Sequence, residues 1–552
     1  MIYLEMGQGT YTGLATILAD ELDADWQHVR VEGAAADAKR YNNTFWGPTQ
    51  GTGGSTAMAN SWDQMRQAGA AGRAMLVSAA AKRWKVGAAD IVVRDSVVSH
   101  AASGRQASFG ELALDAANET VPAEVKLKDP KDFRLIAKQT GDADKAFAGA
   151  AKVVSAAFDF PYLAHAAMEP MNCVVHLKAD GCELWNGEQF QTVDQGRVAA
   201  LFNLKPEQVK INMLYAGGSF GRRASTQSDY VMEAAHIVKA INGRAPVKLV
   251  WLREDDMRAG YYRPLFHHAL EAAVDGSGKL VGWRHRLVGQ SIMAGSPFES
   301  MMIKDGVDHV SVEGASNLPY AIPNLTVDLH TPTDIPVPVL WWRSVGSSHT
   351  AYSTEVFLDQ VAAAMGKDPV ALRLELLGEH PRHAGVLKLA AEKANWGTPL
   401  KAAAGERRGR GVAVHESFNS FVAQVAEVTV KKDGSIKVDR IICAVDCGTA
   451  INPDNIRSQV EGAVGFALSA ALSGEITLKE GRVEQGNFDG YPLLRIGDMP
   501  AVEVHIVPST SAPTGIGEPG VPPLAPAVAN AIAAATGKFL HKMPFNSAEL
   551  VA

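Results

Sequence analysis

Ala216-Gly217-Gly218-Ser219-Phe220-Gly221-Arg222-Arg223 lies between an apolar strand pattern, Ile211 to Tyr215, and a helical pattern, Gln227 to Asn242. A strand that turns on glycines into a helix N-terminus presents free backbone N–H groups, which suits an anion or a polar ligand. The unit recurs. Glu5-Met6-Gly7-Gln8-Gly9 opens the chain and feeds a helix pattern, Leu14 to Leu22. Thr49-Gln50-Gly51-Thr52-Gly53-Gly54-Ser55 precedes another, Met58 to Ala81. A flexible connector with an N-capping Ser or Thr reads equally well there. No Gly-Lys-Ser/Thr follows any of the three, so none is a P-loop. Three cradles on one chain suit a large anionic ligand, to which Arg222 and Arg223 can add charge. Solvation is the default for such side chains.

The bulk numbers narrow the class. A chain of 552 residues exceeds one compact core. With 47% hydrophobic and 20% charged residues the composition is ordinary globular. A net charge of -7 gives nucleic-acid binding no electrostatic support. The four cysteines, Cys173, Cys182, Cys443 and Cys447, form no C-x-x-C pair. That argues against structural zinc, and four thiols are too few for two iron–sulfur clusters. No apolar run reaches membrane-spanning length. Met1 to Met6 reads as neither a signal peptide nor a twin-arginine segment. A nicotinamide or flavin dehydrogenase is disfavoured, because no Gly-x-Gly-x-x-Gly with a following acidic residue occurs.

Along the chain, residues 91 to 138 read as short strands and a polar connector. His165, beside Glu169, reads as a hydrogen-bonded core residue. Arg253-Glu254-Asp255-Asp256 ends the strand Val247 to Leu252 and reads as a solvated charge cluster rather than a cation site. Residues 266 to 295 alternate like long antiparallel strands. Trp341-Trp342-Arg343 offers an arginine that orients a substrate or stacks on a ring. Helices are expected at Tyr352 to Met365, Asp368 to Leu377, Ala384 to Asn395 and Asn452 to Leu472. Ala402 to Gly411 reads as an exposed linker and a domain boundary. Val412 to Val430 reads as a strand pair around His415-Glu416-Ser417-Phe418. Gly515-Ile516-Gly517-Glu518-Pro519-Gly520 feeds a helix, Leu524 to Thr536. Glu518 alone is either a base or a loop carboxylate favoured by a helix dipole.

Seven stretches together resemble the xanthine dehydrogenase/aldehyde oxidase family of molybdenum hydroxylases, and within it the large subunit of the isoquinoline 1-oxidoreductase type. They are Glu5–Gly9, Gly217–Arg222, Trp251–Met257, Trp342-Arg343, Val445-Asp446-Cys447-Gly448, Gln459–Ala463 and Gly517-Glu518-Pro519. The resemblance implies an α+β fold of two large molybdopterin-binding domains with the cofactor between them. Glu5–Gly9 opens the chain here, whereas most of the family carries it late, so the order is permuted. Residues 1–138 would begin molybdopterin-binding domain II, 139–400 would form domain I, and 401–552 would complete domain II. The group's small hammerhead domain has no room, because Lys138 leads almost at once into Gly141-Asp142-Ala143.

The implied cofactor is molybdopterin cytosine dinucleotide with molybdenum, held by its dithiolene and by no protein side chain. Glu518 would be the catalytic base, taking a proton from the hydroxyl that attacks a carbon next to nitrogen or oxygen. Arg343 would steady the substrate or transition state. The cofactor would be bound by Met6, Gly7, Gln8, Gly9, Thr52, Gly53, Gly54, Ser55, Gly217, Gly218, Ser219, Phe220, Gly221, Arg222, Gln459 and Gly517. Trp342, His415 and Phe418 would shape the substrate pocket. A small subunit with two [2Fe-2S] clusters, and a cytochrome c subunit after it, would carry electrons away. The family implies a periplasmic location. The substrate is an aldehyde or an N-heterocycle, with Trp341, Trp342 and Phe418 compatible with either. A non-catalytic cofactor-binding scaffold or maturation protein is the alternative, and the retained Gly-Glu-Pro and Trp-Arg residues argue against it.

Overall fold

Glu406–Ser417 runs antiparallel to Ser420–Lys431 in one long hairpin, and Ile436–Asp446 continues the meander. Ala501–Ile506 then joins Ile436–Asp446 in parallel and completes a four-stranded sheet. Ser420–Lys431 is buried along nearly its whole length, so both of its faces are covered. The helices Pro381–Lys393 and Leu524–Thr536 pack on it. Leu524 to Ala533 are buried without a break, as expected of an Ala-rich helix with no polar face.

The computed structural model describes residues 1, 3, 10–35, 37–44, 49–50, 56–128 and 135–552. They divide into two compact units, Met1–Arg134 and Leu135–Ala552. The expected cofactor contacts Met6, Gly7, Gln8, Gly9, Thr52, Gly53, Gly54 and Ser55 lie outside the described residues.

In the first unit, helices Thr10–Leu22 and Thr56–Trp84 pack together. A Cβ on Gly69 would stand 2.5 Å from the Leu18 carbonyl oxygen, so glycine is what allows this approach. Buried Glu21 pairs with Arg66 at 2.6 Å. A three-stranded meander follows, and then a helix, Phe109–Ala117. That helix replaces part of the connector expected there. Its signal is a capping box, Ser108 with Glu111.

In the second unit, Leu135–Thr140, Asn324–His330, Leu280–Gly289, Phe266–Val274 and Lys152–Phe160 form a five-stranded sheet in that order. Only Asn324–His330 and Leu280–Gly289 pair in parallel. Ala143–Ala148 is already a helix, so the strand Leu135–Thr140 passes into it through Gly141 and Asp142 alone. One apolar core runs continuously from this sheet to the sheet of the long hairpin. Another four-stranded sheet, in the order Val247–Val250, Asn172–Leu177, Cys182–Asn186, Val209–Met213, has a separate core beneath the helices Gln191–Phe202 and Asp229–Ala240.

The linker expected over Ala402 to Gly411 is confined to its first residues. Glu406 to Gly411 belong to a strand, and a Cβ on Gly409 or Gly411 would stand 2.1 or 2.0 Å from the Ala531 backbone. These glycines admit a helix; they do not loosen a loop.

Candidate active site

The segment Trp341 to Ser347 draws together residues that are remote in sequence. The Arg343 backbone N–H donates to the Phe220 carbonyl at 3.1 Å. Its Nε donates to the Gly517 carbonyl at 2.7 Å and its Nη2 to the Gln459 carbonyl at 3.3 Å, across 174 and 116 residues of chain. Ser344 holds Glu518 twice, with its N–H on Oε1 at 3.1 Å and its hydroxyl on the backbone carbonyl at 2.8 Å. Five expected site residues, Phe220, Arg343, Gln459, Gly517 and Glu518, thus meet around one short turn.

The turn is strained. Ser344 has φ 79° and Val345 φ 46°, a left-handed conformation that a β-branched residue rarely adopts. Each such residue costs about 1–3 kcal/mol and persists where the surroundings over-determine it. The Val345 N–H closes the turn on the Trp342 carbonyl at 2.7 Å. Burial pulls the Arg343 guanidinium below its usual value, and the Glu518 charge opposes that pull.

The Gly217–Gly221 turn is supported from behind. The Gly217 N–H donates to Glu169 Oε2 at 2.6 Å, which holds that carboxyl below its usual range, with Asn172 and Arg223 adding to the effect. A Cβ on Gly221 would stand 2.6 Å from the Trp341 carbonyl oxygen, and its φ of 106° favours glycine as well. Arg222 is buried, with Asp256 at 2.8 Å and Asp229 at 2.7 Å. Its guanidinium is therefore not offered to a ligand. Asp256, read as part of a solvated cluster, is buried for the same reason. Arg223 bonds Glu169 at 3.1 Å and the Gly218 carbonyl at 3.1 Å.

Beside Arg343 opens a largely apolar cavity of about 510 Å³, bounded by Met168, Phe220, Trp342, Phe466, Tyr491 and Met499. Phe466 stacks between Trp342, with ring centres 4.5 Å apart, and Phe220, at 4.6 Å. His165 also lines the cavity, bonded through Nε2 to the Trp341 carbonyl at 2.8 Å; burial pushes it down to about 4. Of the three expected pocket residues, only Trp342 borders this space. His415 is buried elsewhere, beside Gly314, Glu355 and His383. Phe418 is exposed at the tip of the long hairpin, where Ser420 Oγ donates to the Gly515 carbonyl at 2.5 Å and places the tip beside the Glu518 loop. Sequence reasoning missed Ser344 and Phe466. An aromatic inside a helix pattern reads as core, and a lone serine carries no signal.

The glycine backbone here is open to a ligand. A Cβ on Gly515 would meet nothing within 4 Å, and one on Gly517 only Gln459 Oε1 at 3.9 Å. Gly217 and Gly517 are exposed. Protein packing does not require glycine at 515 or 517, whereas a ligand lying against the main chain does.

Comparison with known proteins agrees. Two family models, each described as "Molybdopterin cofactor-binding domain", match residues 127–377 and residues 3–168 with 363–500; the second spans more than half of the chain. Isoquinoline 1-oxidoreductase subunit beta of Brevundimonas diminuta is 28% identical, covering 99% of this chain and 89% of its own length. That alignment spans 706 positions, so the relative carries segments that this chain of 552 residues lacks. Membrane-bound aldehyde dehydrogenase [pyrroloquinoline-quinone] of Gluconacetobacter polyoxogenes is 27% identical, covering 100% of this chain and 89% of its own length. Among solved structures, quinoline 2-oxidoreductase from Pseudomonas putida 86 shares the fold with a TM-score of 0.66 at 14% identity, over 81% of this chain and 84% of that one. The chain belongs to the molybdopterin cofactor-binding family and is a molybdopterin-dependent oxidoreductase, similar over nearly its whole length to isoquinoline 1-oxidoreductase subunit beta.

Proposed function

We propose that this chain hydroxylates an aldehyde or an N-heteroaromatic compound, with water as the oxygen source and Glu518 as the base. Overall, a substrate C–H and one water become C–OH, two protons and two electrons. The observation that carries the reading is the double hold of Ser344 on Glu518, next to Arg343 and the open Gly515–Gly517 backbone. A carboxylate fixed by a backbone N–H, one residue from an exposed and loosely packed glycine, is suited to proton transfer.

When bound, molybdopterin supplies the two-electron redox chemistry, and we favour its cytosine dinucleotide form. Gly217, Gly218, Gly517 and Gln459 would hold it. Arg343, with no carboxylate in ion-pair range among the described residues, keeps its charge for a developing negative charge on the substrate. Phe220, Trp342 and Phe466 give the adjoining cavity flat apolar walls, which favour planar substrates. His415 sits away from that cavity, so its proposed part in the substrate pocket is the weakest of the set.

The four cysteines are buried; burial pushes Cys182 up to about 11 and Cys443 up to about 12. We therefore place the iron–sulfur clusters on a separate small subunit, with a cytochrome c subunit as a further acceptor. No helix among the described residues is long and apolar enough to cross a membrane. The periplasmic location remains part of the proposal.

Metal analysis and cofactor extraction test the first half: molybdenum with a pterin cytosine dinucleotide is expected. For the second half, Glu518→Gln should lower turnover by about 10²–10⁴ at unchanged cofactor content. Wild-type turnover in a fully loaded Glu518→Gln protein would remove Glu518 as the base.

A further inference from the structure

The strained turn that holds Glu518 is gripped at its other end by a second carboxylate. Glu313 Oε1 accepts the Ser347 backbone N–H at 3.0 Å and faces the Ser347 hydroxyl at 3.4 Å. Thr350 Oγ1 donates to the Glu313 carbonyl at 2.6 Å, so the helix Ser347–Met365 binds this residue by backbone as well. Gly346, between the two ends, is pressed closely: a Cβ there would stand 1.9 Å from the Val310 carbonyl oxygen and 3.0 Å from Glu313 Cγ. The segment around Glu313 therefore supports the turn on one side, while Ser344 engages Glu518 on the other.

We infer that Glu313 is a positioning residue for Glu518, anchoring the Ser344–Ser347 turn so that the Ser344 N–H and hydroxyl hold Glu518 in place. Two consecutive non-glycine residues in the left-handed region relax unless both ends of their turn are tied. Val345 N–H on Trp342 ties the first end, and Glu313 ties the second. A carboxylate makes the stronger acceptor for a backbone N–H at a helix start. Burial pushes the Glu313 carboxyl up to about 7; the Ser347 and Gly346 hydrogen bonds pull it down, and the Glu518 charge adds to the rise. Other titratable groups near this segment are Asp308, which accepts the Val310 N–H at 3.0 Å, His349 on the helix, which burial pushes well down, and His415 against Gly314, which burial pushes down to about 3.

The inference rests on the reading of Glu518 as the base, and the test separates the two. Holoenzymes carrying Glu313→Ala, Glu313→Gln and Glu518→Gln are compared with wild type for kcat, KM, cofactor content and amide hydrogen exchange over residues 344–347. Glu313→Ala should lose about 10- to 100-fold in kcat, the scale of a small misplacement of a reacting group, at nearly constant KM. Exchange over the turn should accelerate in the same variant. Glu313→Gln, whose amide oxygen still accepts the Ser347 N–H, should recover to within about fivefold of wild type. Wild-type kcat with unchanged exchange in Glu313→Ala overturns the inference, as does a rise in KM at constant kcat. If Glu518→Gln retains turnover, the base assignment fails, and the exchange data on Glu313→Ala still decide whether Glu313 anchors the turn. If Glu313→Ala does not fold, Glu313→Asp, one methylene shorter, takes its place with the same expectations.

Discussion

The turns Gly217–Arg223 and Trp341–Ser347 touch through one hydrogen bond, Arg343 N–H to the Phe220 carbonyl, yet they are held by opposite means. In the first, buried Arg222 is neutralised by Asp229 and Asp256 and flanked by the rings of Trp251 and Tyr261. In the second, Arg343 rests on the Gly517 and Gln459 carbonyls. One arginine is structural because its charge is cancelled; the other keeps a charge that an incoming group can meet. Burial, ion pairing and partner chemistry decide this, and residue type does not.

Replacing each arginine by methionine is the most direct way to break the contrast. Arg222→Met leaves Asp229 without its cation and Asp256 with Arg253 alone, at 3.7 Å, and we expect a loss of about 3–5 kcal/mol in denaturant unfolding. His165 stands where the two turns touch, and it sets a pH limit. Its unfolded form binds a proton below about 6.5, while its folded form resists until about 4. The contribution of His165 to stability should therefore be full above the unfolded value and fall as the pH drops towards 4, by about 1.4 kcal/mol per unit. In His165→Asn the pH dependence of unfolding should be shallower by about one proton in that window; an unchanged slope would place the buried charge cost elsewhere. Arg343→Met should reverse the pattern of Arg222→Met. Turnover falls about 10- to 100-fold, while stability changes by about 1–2 kcal/mol. Equal stability losses in the two arginine variants would erase the distinction. Gly515→Ala should be the mildest: with nothing near its Cβ, stability stays within about 0.5 kcal/mol. Cofactor retention is what should drop, measured as pterin and molybdenum per chain.

Local pattern carried the sequence reading far. The helix Leu524–Thr536 falls where its Ala-rich run and preceding prolines put it, and the strands of 266–295 alternate as expected. Residues that act through long-range partners left no such mark. Ser344 earns its place only once the chain brings Glu518 to it. Asp229 and Asp256 look like ordinary surface acids until Arg222 arrives between them. Phe466 has the spacing of a core residue on the helix Pro453–Ser473, and only folding lays Trp342 and Phe220 against it. The helix Phe109–Ala117 was within reach, since Ser108 and Glu111 carry their signal three residues apart.

The glycines at 409 and 411 have a consequence for protein engineering. A basic, glycine-containing stretch is where one would cut a chain, insert a reporter or rejoin permuted ends. Here that choice works as far as Gly405 and fails beyond it. Glu406 begins the strand against which the helix Leu524–Thr536 rides, and that helix is the direct continuation of the loop bearing Glu518. An insertion after Arg408 would lift the helix and carry Glu518 with it, giving a folded but idle protein. The same insertion among Lys401 to Ala404 would leave that seat untouched.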